Sequence, residues 1–181
     1  MHYIYIRKKM NQVKFKKKNK ACFLDRDGVL NKDIGYLYKK EDFQWIEGAI
    51  ECISLLKKMK YKVIVITNQS GISRGFYSHE DVEKLHLWIN KQLKKTINTS
   101  IDHFYYSDEM PNTKVKSRRK PSPNMILEAF QDHNLDPKQC FLIGDKKTDL
   151  QAAKNAKIKG FLFEGGNLLV NIEKILKVLN F

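Results

Sequence analysis

Short β-branched runs alternating with amphipathic stretches predict an α/β domain: a Rossmann-like parallel sheet of about five strands with helices on both faces. The runs are nearly continuous in apolar residues, as strands buried on both faces must be. Several of them end abruptly in carboxylates or hydroxyls, which is where open α/β sheets bind ligands. The chain has 181 residues, 42% of them hydrophobic, enough for one core and one domain over residues 20–181.

The first strand is Ala21 to Leu24, ending in Asp25-Arg26-Asp27-Gly28. On extended backbone residues i and i+2 share a side, so Asp25 and Asp27 can address one ligand while Arg26 points elsewhere. Two close carboxylates repel, so a cation between them or a shared proton is expected. Lys32 to Phe43 has no sustained period and reads as a loop or small hairpin over the site. Gly48 to Lys60 places Ile50, Ile53 and Leu56 at helical spacing. Tyr61 to Ile66 is the second strand and runs into Thr67-Asn68-Gln69-Ser70-Gly71.

Ser78 is an N-cap for a helix from His79 to about Asn98, with Glu80 and Asp81 in its first turn. Ile101 to Tyr106 alternates as a third strand, followed by a polar loop from Ser107 to Arg119. Ser122 and Pro123 suit the N-cap and first position of a helix through about His133. Gln139 to Ile143 is the fourth strand and ends in Gly144-Asp145. A helix over Thr148 to Ala156, a strand over Gly160 to Phe163 and a helix from Asn167 to about Leu179 complete the series.

The polar groups at these ends form a specific inventory: Asp25 and Asp27, Thr67 and Asn68, Lys120, then Asp145 and Asp149. It combines carboxylates for a hard cation with donors for a phosphate. Phosphoryl transfer needs little more than positioning, charge neutralisation and a nucleophile.

With these residues in view, the chain resembles the haloacid dehalogenase (HAD) superfamily of aspartate-nucleophile phosphatases over roughly Lys20 to Phe163. Asp25-Arg26-Asp27-Gly28 resembles the first motif, Thr67 the second, Lys120 the third and Gly144 to Asp149 the fourth. Gly-Tyr-Leu-Tyr at 35 to 38, Thr-Asn-Gln-Ser-Gly-Ile-Ser-Arg-Gly at 67 to 75 and Arg-Lys-Pro at 119 to 121 are similar to the D-glycero-D-manno-heptose 1,7-bisphosphate 7-phosphatases of nucleotide-heptose and lipopolysaccharide biosynthesis. Histidinol-phosphate phosphatases share much of this pattern. The resemblance implies a HAD-like sheet without a large cap domain and a small sugar-phosphate substrate. It also implies Asp25 as nucleophile, Asp27 as general acid and base, and Mg²⁺ held by Asp25, the Asp27 backbone carbonyl and Asp145. Asp149 would orient Lys146 or the metal shell. Thr67, the Asn68 amide and Lys120 would hold the transferring phosphoryl group, and Arg119 a second phosphate. Gln69, Ser70, Arg74 and Tyr36 would line the sugar site.

Relatives with this pattern often carry a structural zinc on a Cys-X-His and a Cys-X-Cys pair. The matching positions here are Ser107, Glu109, Lys116 and Arg118, so no structural zinc is expected. Glu109 or Asp108 pairing with Lys116 or Arg118 is the expected replacement.

Net charge is +14, but residues 1–20 hold eight basic residues and no acid, and lysine far outnumbers arginine. Bidentate readers of phosphate and bases favour arginine, so a nucleic-acid partner is not expected. Residues 1–19 read as a mobile basic extension. A polynucleotide 3′-phosphatase and a basic nucleic-acid-binding module on the same fold are the competing readings, and strand-end acids that repel polyanions weigh against the second. No apolar run approaches a membrane span and no leader pattern is evident, so a cytoplasmic monomer is expected. Cys22, Cys52 and Cys140 lack metal-type spacing and read as buried free thiols.

Overall fold

The computed structural model describes residues 18–111 and 117–179. The expected basic extension lies almost wholly outside these residues, as does Lys116. Five strands, β1 (Asn19–Leu24), β2 (Tyr61–Asn68), β3 (His103–Ser107), β4 (Leu135–Gly144) and β5 (Lys159–Leu162), form one parallel sheet in the order β3-β2-β1-β4-β5. Because β1 already begins at Asn19, the sheet takes in the last residue assigned to the extension. The sequence reverses direction across β1 and β4, the switch point that opens a crevice in such sheets.

Five helices pack on the sheet: α1 (Ala49–Lys58), α2 (His79–Ile97), α3 (Asn124–Asp132), α4 (Lys147–Asn155) and α5 (Leu168–Val178). The period-two alternation of strand side chains divides the core in two. Cys22, Leu24, Val63, Val65, Phe141 and Ile143 face α1, α2 and α5. Ala21, Phe23, Ile64, Ile66, Cys140 and Leu142 face α3 and α4. All three cysteines are buried and unpaired.

Local chemistry fixes the helix starts. The Ser78 hydroxyl accepts from the Asp81 N–H, and the Asp81 carboxylate accepts from the Ser78 N–H, a reciprocal cap. The third helix begins one residue later than its Ser-Pro signal implies, at Asn124, with the Ser122 hydroxyl accepting from the Asn124 N–H at 3.3 Å.

Residues 32–43 are an excursion containing one 3₁₀ turn, Lys40–Asp42. The Lys32 N–H donates to the Gln44 carbonyl and the Ile46 N–H to the Leu30 carbonyl, both at 2.9 Å, so the neck is closed and the loop projects over the carboxyl edge. Among the described residues no helix is long and apolar enough to cross a membrane.

Candidate active site

The β1–β4 switch point puts Asp25 at the centre of the carboxyl edge. The Asp25 N–H continues the ladder to the Ile143 carbonyl at 3.0 Å, and the chain then leaves the sheet at Gly28, where φ is +88°. A Cβ at Gly28 would lie 2.2 Å from Asp145 Oδ2, so glycine both makes the turn and lets the β4 acid approach β1.

Lys120 enters from the loop ahead of α3 and is 2% exposed. Its ammonium lies 2.9 Å from Asp25 Oδ2 and 2.6 Å from Asp149 Oδ1 and donates to the Ile66 carbonyl at 2.9 Å. Asn68 fixes this loop: its side chain accepts from the Lys120 N–H at 3.0 Å and donates to the Lys120 carbonyl at 3.2 Å. The Asn68 side chain is thus spent on holding Lys120.

Asp25, Asp145 and Asp149 each turn one oxygen toward a common point, the three atoms lying within 4.8 Å of one another. Asp145 Oδ1 is buried without a hydrogen-bond partner. An unsatisfied carboxylate oxygen in an all-oxygen cluster fits a hard divalent cation, which supplies the missing partner and offsets the repulsion. Burial pushes Asp25 up to about 7 against the opposing pull of Lys120. Burial likewise raises Asp145. Burial alone would lower Lys120, but Asp25 and Asp149 hold it above its ordinary value and therefore charged.

Asp27 faces differently. Its carboxylate accepts from Asn31 Nδ2 at 2.9 Å, Gln69 Nε2 at 2.9 Å and the Arg26 guanidinium at 3.0 Å, and its side chain is not part of the three-acid cluster. Arg26 does point away from the cluster, but inward: it is fully buried and also donates to the Leu37 carbonyl at 2.8 Å. Its alternation between two acids gave no sign of this. The signal available was a cation inside an apolar strand end, which burial allows only with partners.

A cavity of about 770 Å³ opens over these groups, lined by Asp25, Asp27, Thr67, Ser70, Lys120 and, at its rim, Tyr36 and Arg119. Two assignments made from sequence need correction. Gln69 touches the cavity but is 2% exposed, its amide consumed by Asp27, Thr67, Arg26 and Tyr77, so it is a buried hub and not a sugar contact. Arg74 does not line the cavity; its guanidinium lies 5.9 Å from the Tyr36 ring centroid. Asp149 holds Lys146 through its backbone, accepting from the Lys146 N–H at 3.0 Å, and also stands in the three-acid cluster. The Lys146 ammonium crosses the mouth to Asp33 Oδ2 at 2.9 Å.

The loop after β3 also differs from expectation. Glu109 Oε2 accepts from the Ser117 hydroxyl and from the Arg118 N–H at 3.0 Å. The Arg118 guanidinium instead pairs with Glu128 on α3 at 2.6 Å, and Asp108 lies 3.6 Å from His79. A flexible guanidinium finds a bidentate partner on a rigid helix, while the carboxylate satisfies a backbone donor of the loop.

Comparison with known proteins matches residues 6–157 to haloacid dehalogenase-like hydrolase. The chain is 42% identical over 144 residues to a D-glycero-beta-D-manno-heptose-1,7-bisphosphate 7-phosphatase of Helicobacter pylori, covering 80% of this chain and 83% of the relative. It is 43% identical over 147 residues to a D-glycero-alpha-D-manno-heptose-1,7-bisphosphate 7-phosphatase of Burkholderia mallei, covering 78% and 77%. Among solved structures, a D,D-heptose 1,7-bisphosphate phosphatase from B. bronchiseptica complexed with magnesium and phosphate superposes with a TM-score of 0.74 at 27% identity, covering 86% of each chain. With this sheet and this carboxyl edge, the chain belongs to the haloacid dehalogenase-like hydrolases and is a phosphatase of that family.

Proposed function

We propose that this phosphatase is Mg²⁺-dependent and removes the 7-phosphate of a D-glycero-D-manno-heptose 1,7-bisphosphate through a phospho-aspartyl intermediate on Asp25. The observation that carries the reading is the placement of Asp25: buried, in contact with the Lys120 ammonium, beside two further carboxylates, at the floor of a cavity large enough for a sugar phosphate. Asp25, Asp145 and the Asp27 backbone carbonyl would hold the cation, with Asp149 beside them. When bound, Mg²⁺ neutralises the phosphoryl oxygens and keeps Asp25 ionised.

In the first half-reaction Asp25 attacks phosphorus, the phosphorus–sugar oxygen bond breaks, and Asp27 gives that oxygen a proton. In the second, Asp27 takes a proton from water, the water oxygen bonds phosphorus, and the Asp25–phosphorus bond breaks to release phosphate. Thr67 and Lys120 hold the phosphoryl group, and Arg119 at the rim is set for a second anionic group. Relatives named for both anomers match at nearly equal identity, so the proposal covers the heptose bisphosphate and not one anomer.

The substrate enters as a free sugar phosphate, and the protein acts as a cytoplasmic monomer. The test is turnover across both heptose bisphosphate anomers, histidinol phosphate and 3′-phosphorylated oligonucleotides, with Asp25→Asn as control. The highest kcat/KM belongs to a heptose bisphosphate and vanishes in Asp25→Asn. A higher value for histidinol phosphate or the oligonucleotide overturns the substrate, and activity in Asp25→Asn overturns the mechanism.

A further inference from the structure

We infer that Gln69 is a positioning residue for Asp27, with Tyr77 locking its amide. The orientation of the amide follows from its neighbours. Gln69 Oε1 faces two donors, the Tyr77 hydroxyl at 2.7 Å and the Arg26 guanidinium at 3.2 Å. Gln69 Nε2 faces two acceptors, Asp27 Oδ2 at 2.9 Å and Thr67 Oγ1 at 2.8 Å. A guanidinium can only donate, so the reversed amide would turn its NH2 against Arg26. All four polar valences of the side chain are filled, and at 2% exposure no water competes for them.

Tyr77 is itself fixed. Its ring stacks on Tyr38 at 5.2 Å between centroids, and a Cβ on Gly71 would sit 2.2 Å from it, so the glycine makes room for the ring. The chain of contacts runs from the loop over the site, through Tyr77 and Gln69, to one oxygen of Asp27. The other oxygen is held by Asn31 at 2.9 Å. The plane of the Asp27 carboxyl is thereby set from both sides. Proton transfer depends steeply on such alignment, and an error of about 1 Å costs on the order of 10²-fold.

This inference rests on the reading of Asp27 as the acid that protonates the leaving oxygen. Its consequence is that loss of the amide harms poor leaving groups more than good ones. The experiment measures kcat/KM, which reports the first phosphoryl transfer, for aryl and alkyl phosphate monoesters of graded leaving-group pKa. None of these carries a sugar, so a lost sugar contact cannot imitate the effect. The comparison uses wild type, Asp27→Asn, Gln69→Leu and Tyr77→Phe, each with bound Mg²⁺.

Gln69→Leu should lose about 10- to 100-fold on alkyl phosphates and much less on nitrophenyl phosphate, steepening the dependence on leaving-group pKa. Tyr77→Phe should steepen it in the same sense but less, since Arg26 still holds Oε1. Tyr77→Phe removes a single oxygen from a stacked ring and supplies the measurement if Gln69→Leu does not fold. An equal loss across the series, or an unchanged slope, overturns the inference. If Asp27→Asn leaves the slope unchanged, the acid assignment itself fails. If Asp27→Asn steepens it and neither other variant does, only the role of Gln69 and Tyr77 fails.

Discussion

The two edges of the sheet both set acids against lysines, in opposite proportion. At the amino edge Asp102, just ahead of β3, receives Lys57 at 2.6 Å, Lys62 at 3.0 Å and the Val63 N–H at 2.8 Å. One acid there meets two cations, and its oxygens are satisfied. At the carboxyl edge Lys120 meets both Asp25 and Asp149, Asp145 stands beside them, and one Asp145 oxygen has no partner. A surplus of buried negative charge is unfavourable for folding and persists where something else brings the missing positive charge. The satisfied edge serves stability, and the unsatisfied one has the chemistry of a site for a cation and a phosphate.

The sharpest way to break this contrast is to remove the buried cation that faces Asp25 and Asp149. Lys120→Met leaves Asp25 and Asp149 facing each other in the interior, and losing one partner of a buried pair costs about 3–5 kcal/mol. Turnover should fall to background, and denaturant unfolding of the metal-free variant should show that loss. Added Mg²⁺ should recover part of it. A variant as stable as wild type would mean that the acids are already neutral.

The next effect comes from the cation. Chelation with EDTA should abolish hydrolysis, and Mg²⁺ should restore it while Ca²⁺, with a looser shell, restores little. Binding to the folded state alone also raises stability, by about 2.7 kcal/mol at a hundredfold excess over Kd. A melting temperature insensitive to Mg²⁺ would refute the cluster as its site. Asp102 takes no part in this response.

These two edges were unequally legible in the sequence. Asp25, Thr67 and Asp145 could be placed because each ends an apolar run, and strand ends in a parallel sheet converge on one edge. Lys120 could be placed only at a loop end, since nothing local in Lys-Pro-Ser-Pro says that its ammonium reaches under β2. The roles of Arg26, Gln69 and Tyr77 stayed hidden because they are set by side-chain contacts between segments 43 and 8 residues apart, which periodicity does not encode. Glu109 does meet Arg118, but through the backbone N–H and not the guanidinium, a distinction that periodicity does not encode either.

Glu109 offers a test within the carboxyl edge, since it is an acid there that is satisfied as Asp102 is. Glu109→Ala frees the Arg118 N–H and the Ser117 hydroxyl and should cost about 1–2 kcal/mol, with faster proteolysis between residues 108 and 120 and a raised KM. Elemental analysis of protein purified without chelators should find no stoichiometric zinc. One tightly held equivalent would show that other ligands secure this loop.

The smallest effect belongs to Asp102. Burial raises its carboxyl, but donation from Lys57, the Val63 N–H and Lys62 outweighs burial and leaves it below its ordinary value. A group whose folded-state pKa is depressed contributes stability above its unfolded pKa, near 3.9, and loses it as pH falls through the folded value. Asp102→Asn keeps the shape and removes the charge that both ammoniums address. At pH 7 the variant should be less stable by about 1–2 kcal/mol, less than a fully buried pair because Lys62 is partly in water. The gap should narrow as pH drops below about 4, when the wild-type carboxyl takes up its proton and both side chains become neutral. Activity with saturating Mg²⁺ should be unchanged at pH 7, because Asp102 belongs neither to the cavity lining nor to the three-acid cluster. A gap that persists unchanged at pH 2 would mean that Asp102 acts through shape alone, and the contrast between satisfied and unsatisfied charge would lose its amino-edge half.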